Sequence, residues 1–156
     1  MYPGLNFENI SRSELPASRS VTSTERPRPV VLVVDDERVI ADTLSIILKQ
    51  SGFSALTAYD GESALELATV VPPQLLLSDV MLGPGINGAE LAIEITKAYP
   101  DCKVLLFSGH AATRDLLASV GEAGNNFTLL SKPLHPADLL ARINESFPVT
   151  RLSTVS

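Results

Sequence analysis

Three carboxylates, a hydroxyl and an ammonium stand at the ends of four short apolar runs. Val30 to Val34 leads into Asp35-Asp36, Leu75 to Ser78 into Asp79, Val104 to Phe107 into Ser108, and Phe127 to Ser131 into Lys132-Pro133. If the runs are strands of one parallel sheet, these residues collect at its carboxyl edge, the crevice where open α/β sheets place their ligands. Clustered carboxylates repel one another, which raises the cost of ionising all three unless a cation sits among them. Hard oxygen donors of this kind suit Mg²⁺ better than a softer metal. The lysine and the serine could hold the oxygens of a phosphoryl group. Together they describe a site for a divalent cation and a phosphoryl group.

The segments between the runs must return the chain to the far edge of the sheet, and their patterns are helical. The first carries Val39, Ile40, Thr43, Leu44, Ile47 and Leu48 on one face, with Gly52 just past its end. A second strand, Phe53 to Ala58, follows. Asp60 is placed to cap a second helix with Ala64, Leu65, Ala68 and Val71 inward, and Pro72-Pro73 stops it, because proline lacks the N–H and clashes with the previous turn. The third strand spans Gln74 to Asp79. The loop Leu82-Gly83-Pro84-Gly85 then leads to a third helix from about Asn87 to Ala98, with Leu91, Ala92 and Ile95 inward and Pro100 barring its continuation. A fourth strand, Lys103 to Phe107, precedes a fourth helix over Ala111 to Ala123, which Gly124 lets end in a left-handed turn. A fifth strand begins near Asn126. The last helix starts after His135 with Pro136 at its first position and a stripe of Leu139, Leu140, Ile143 and Phe147.

Strands one, three and four are nearly all apolar, as when both faces are covered, whereas strand two mixes polar residues as an edge does. The alternation predicts an α/β three-layer sandwich: a doubly wound, flavodoxin-like, five-stranded parallel sheet of order 2-1-3-4-5. That order makes strands one and three neighbours, so Asp35, Asp36 and Asp79 converge at the switch point between them.

The 156 residues suffice for one domain of ordinary size. A net charge of −6, with no run of Lys and Arg, argues against direct nucleic-acid binding. The single Cys102 excludes an internal disulfide and fits a reducing compartment; it reads as a small apolar residue before strand four. No apolar stretch approaches the roughly 18 to 20 residues of a membrane span, and the N-terminus lacks the apolar core of a signal peptide. The expectation is a cytoplasmic protein without membrane contact. Residues 1–28, rich in Ser, Pro, Arg and Glu without period, are expected to form a disordered tail, a solvated leader or a docking segment. Residues 29–147 form the folded domain, and 148–156 a flexible tail.

The ordered set of acidic pair, lone aspartate, serine and Lys-Pro resembles the receiver domain of bacterial two-component response regulators, over about Arg28 to Phe147. The resemblance implies that Asp79 is the phosphoacceptor, taking a phosphoryl group from a sensor histidine kinase, a histidine phosphotransfer protein or a small donor to form an acyl phosphate. It implies Asp36 as a direct Mg²⁺ ligand, Asp35 as one acting mainly through water, and Asp79 with the backbone carbonyl of Met81 as further oxygens. Lys132 would pair with the phosphoryl group and Ser108 would hydrogen-bond to it. Family members often carry a cis Lys-Pro bond, which would aim Lys132 inward. Met81 and His110 fall where the family flanks the path of hydrolytic water: Met81 would obstruct it, and His110 could orient it. After Phe147 nine residues remain, which implies a receiver without an output domain, signalling through protein contacts on the surface of its fourth helix, fifth strand and fifth helix.

Two departures from the family pattern stand out. The loop from Asp79 to Gly88 is one residue longer than usual, with Pro84 displaced. Leu129 stands where many receivers carry an aromatic ring that turns inward on activation; the nearest aromatic is Phe127, on the same strand face. Two alternatives remain: a pseudo-receiver, with the fold and no phosphorylation, and a phosphohydrolase of the haloacid-dehalogenase type. The latter places its nucleophile after strand one as Asp-x-Asp, where this chain has adjacent Asp35 and Asp36. A Rossmann nucleotide-binding domain would need a glycine-rich turn after strand one, which is missing.

Overall fold

The computed structural model describes residues 28–109 and 127–147. His110, the helix expected over 111–123 with Gly124 beyond it, and the expected tails apart from Arg28 lie outside the described residues. Five parallel strands, β1 (Val30–Val34), β2 (Ser54–Ala58), β3 (Leu75–Asp79), β4 (Lys103–Ser108) and β5 (Thr128–Ser131), pair in the order β2-β1-β3-β4-β5. Helices α1 (Arg38–Gln50), α2 (Gly61–Val70), α3 (Gly88–Ala98) and α4 (Pro136–Glu145) connect or follow them. The sheet is therefore doubly wound and flavodoxin-like, in the expected order.

Because strand side chains alternate, each central strand feeds two separate cores. Leu32, Val34, Leu76, Val104 and Leu106 pack with Ala64, Ala68, Leu91, Ala92 and Ile95 of α2 and α3. Val31, Val33, Leu75, Leu77, Leu105 and Phe107 pack with Ala41, Leu44 and Leu48 of α1 and with Leu139 and Ile143 of α4. Strands β1, β3 and β4 are thus buried on both faces, and β2 lies at an edge with half-buried Leu56 and Thr57. No helix among the described residues is long and apolar enough to cross a membrane.

Local signals set most of the ends. Gly52, at φ +100, closes α1: its N–H donates to Lys49 O and that of Phe53 to Leu48 O, the two bonds of a Schellman turn. Asp60 caps α2 through Oδ1, which accepts from Ser63 N–H at 2.7 Å. Asn87 and Glu90 form a capping box at the start of α3. Pro136 occupies the first turn of α4.

Three assignments change. The buried face of α1 is Ala41, Leu44, Ser45 and Leu48; Val39 is 78% exposed, Thr43 is exposed, and Ile40 and Ile47 are half-buried. The small Ala41 and Ser45 let the helix approach the sheet closely, and the Ser45 hydroxyl is satisfied at 2.6 Å by that of Thr57. Val71, assigned to the inward face of the second helix, is its extended and half-buried C-cap residue, since the two prolines that follow favour extended backbone before them. Strand β5 begins at Thr128, two residues later than expected.

Candidate functional site

The parallel register delivers the predicted residues to one edge. Val34 pairs with Ser78, so Asp35 and Asp79 stand side by side one residue beyond, and Asp79 pairs with Phe107, immediately before Ser108. Ser108 pairs with Ser131, and the backbone N–H of Lys132 donates to Ser108 O at 3.2 Å. Lys132-Pro133 is a cis peptide bond. The Lys132 ammonium, 5.5 Å from the centre of the Phe107 ring, donates to Asp79 Oδ2 at 2.8 Å. Asp79 Oδ1 accepts from the Met81 N–H at 3.1 Å. The two oxygens of Asp79 are thereby held by two different donors, and its side chain is almost wholly buried.

Carboxylate oxygens of Asp35, Asp36 and Asp79 lie within 4.8 Å of one another. Asp35 is fully buried; its Oδ1 accepts from the Glu37 N–H at 2.8 Å, and its Oδ2 is buried without a hydrogen-bond partner. Burial pushes the Asp35 carboxyl up to about 6; the Glu37 N–H pulls it down, Asp79 and Asp36 add repulsion, and Lys132 partly relieves it. An orphaned buried carboxylate oxygen facing two further carboxylates is the environment a small, hard, oxygen-seeking cation relieves, so the residues present fit Mg²⁺. Burial alone would lower the pKa of Lys132, but its hydrogen bond with Asp79 and the charges of Asp79, Asp35 and Glu37 raise it, so the ammonium stays charged.

Met81 sits at the mouth of the site, 51% exposed. Phe127 is partly buried against the core on the α2 and α3 side, whereas Leu129 is 39% exposed. Sequence reasoning missed Gly88, in the first turn of α3. A Cβ there would run into the carbonyl oxygen of Asp79, while its N–H donates to Val80 O at 2.7 Å. A glycine at the first position of a helix was the available signal. Also unforeseen was a mostly apolar groove of about 510 Å³ beside Lys132, between α1 and the turn into α4, lined by Ile40, Thr43, Ile47, Phe107 and Leu134.

The response regulator receiver domain family matches residues 31–144. The chain belongs to this receiver family. Solved receivers agree with the assignment. A CheY-like response regulator receiver domain protein from Methanospirillum hungatei JF-1 is 28% identical, with a TM-score of 0.70, covering 81% of this chain and 98% of that one. The signal receiver domain of an HD domain-containing protein from Pseudomonas fluorescens Pf-5 is 27% identical, with a TM-score of 0.72, covering 84% and 95%. The chemotaxis protein CheY4 of Vibrio cholerae is 25% identical, with a TM-score of 0.68, covering 77% and 99%. This receiver carries the acidic pocket at its sheet edge.

Proposed function

We propose that this receiver accepts a phosphoryl group on Asp79 from a phosphohistidine of a sensor histidine kinase or a histidine phosphotransfer protein, and signals through reversible protein contacts. The observation that carries the reading is the convergence on Asp79, at the end of β3, of one ammonium from the end of β5 and two further carboxylates from the end of β1. An Asp79 oxygen attacks phosphorus, the N–P bond breaks, and the electron pair and a proton return to the histidine, leaving an acyl phosphate. Asp35, Asp36, Asp79 and the Met81 carbonyl would hold Mg²⁺. When bound, the ion neutralises the charge that otherwise opposes the meeting of two anions. Lys132 is already within bonding distance of Asp79, so its ammonium can follow the charge from the carboxylate to a phosphoryl oxygen. Ser108, one residue beyond the partner of Asp79, would donate its hydroxyl to another.

A donor must bring its histidine over the carboxyl edge. The groove beside Lys132 offers the adjoining apolar surface, and a helical partner covering it would exclude water from the reacting groups. The downstream partner would read the surface around β5 and the last helix.

The test is intact-protein mass after incubation with Mg²⁺ and acetyl phosphate or phosphoramidate. The expected result is a Mg²⁺-dependent gain of one phosphoryl group, about 80 Da, in the wild type and none in Asp79→Asn. No gain with small donors or with any of a panel of histidine kinases would oppose the reading and favour a pseudo-receiver. Repeated turnover of a phosphate ester would favour a phosphohydrolase.

A further inference from the structure

Two glycines on facing segments each leave room for a side chain of the other. At the start of α2, Gly61 is covered by Ile86, whose side chain a Cβ at Gly61 would overlap. Across the interface Gly85 stands at φ +92, and a Cβ there would fall 2.7 and 2.8 Å from the two carboxylate oxygens of Glu62. Between these approaches the Ile86 N–H donates to Glu62 Oε2 at 3.2 Å. The first turn of α2 and the loop after β3 are thus interlocked by reciprocal fits around one hydrogen bond.

The loop so gripped begins at Met81, whose N–H is bonded to Asp79, and ends at the capping box of Asn87. Between them lie two residues at positive φ, Gly83 and Gly85. Glycine gives a backbone many accessible conformations, so this loop needs an outside tie to keep one of them. Its near end carries the Met81 carbonyl assigned to the cation.

We infer that Glu62 is a positioning residue for the metal site: by accepting from the Ile86 N–H, its carboxylate holds the loop so that the Met81 carbonyl faces the cation. The inference rests on the proposed receiver chemistry of Asp35, Asp36 and Asp79. Glu62 touches neither cation nor phosphoryl group and acts only through the loop. The charge matters less than the acceptor, so a neutral acceptor of the same length serves.

The experiment uses the full chain as wild type, Glu62→Ala and Glu62→Gln. It combines a calorimetric Mg²⁺ titration with amide hydrogen exchange at Ile86 in Mg²⁺-free buffer. For Glu62→Ala the expected result is Mg²⁺ binding weaker by about three- to tenfold, with faster Ile86 exchange and an almost unchanged thermal midpoint. Glu62→Gln restores both the affinity and the protection. Equal Mg²⁺ affinity in Glu62→Ala and wild type overturns the inference and leaves the receiver reading standing. Failure of glutamine to rescue overturns the hydrogen bond as the cause. A wild type that binds no Mg²⁺ removes the inference together with the reading on which it rests.

Discussion

Asp35 is a charge held under strain of environment rather than of geometry. Its carboxyl is fully buried, keeps one oxygen without a partner, and has a pKa raised from 3.8 to about 6. In the metal-free protein the folded state holds a proton between those pH values that the unfolded chain has released. The contribution of this group to stability therefore falls as pH rises from about 4 to 6, and the full penalty persists above that. The proposed cation, drawn to the ionised carboxylate directly or through a bound water, would compete with that proton. Mg²⁺ affinity is expected to fall as pH drops through about 6, approaching tenfold per pH unit, as measured by titration in buffers of constant ionic strength. Asp35→Asn removes the buried charge, and its amide can donate to the neighbouring carboxylates. It should raise the thermal midpoint of the Mg²⁺-free protein by several degrees while weakening Mg²⁺ binding. A lowered midpoint would mean that the carboxylate is stabilised by something other than a cation.

At the scale of elements, the ends were the most legible part. Gly52, Asp60 and Pro136 act within a few residues of themselves, so their sequence neighbours suffice to read them. The face of α1 was harder. A 3.6-residue period places apolar residues on one side of a helix but does not say whether large or small ones meet the sheet, and here Ala41 and Ser45 go in while Val39 stays out. Gly88 shows a different limit, because its need for a bare Cα comes from a contact nine positions back in the chain. Gly88→Ala would drive a methyl into the Asp79 carbonyl oxygen, and backbone cannot yield as a side-chain tip can. We expect a loss of about 1–3 kcal/mol or more by denaturant unfolding, accompanied by weaker Mg²⁺ binding. An unperturbed Mg²⁺ affinity in that variant would show that α3 is not seated on the Asp79 backbone as described.

For the whole molecule, sheet order and site convergence followed from four strand ends and the rules of parallel connection, which is why Asp79 and Lys132, 53 residues apart, could be placed together beforehand. The groove could not be read in the same way. It arises from the spacing between α1 and the turn into α4, and from Ile40 and Ile47 being only half-covered, which no local pattern encodes. Because Thr43 is exposed on its wall, Thr43→Arg should leave the fold and labelling by acetyl phosphate unchanged. It should slow transfer from a cognate phosphohistidine protein by tenfold or more, since a charged side chain there opposes apolar docking. Equal rates from the protein donor would place docking elsewhere.

Among the described residues the two cores share no side chain: the sheet is a partition, with alternate residues committed to one side or the other. Traffic between the halves through the interior must therefore pass by moving strands bodily, which close packing makes costly. At the carboxyl rim one residue touches both jurisdictions. Lys132, lying over Phe107, belongs to the α1 and α4 side, while the Met81 loop leads through Leu82 and Ile86 into the α2 and α3 side, and Asp79 is bonded to both. The phosphoryl group proposed for that carboxylate would address both compartments at once, from a spot where neither has to be breached.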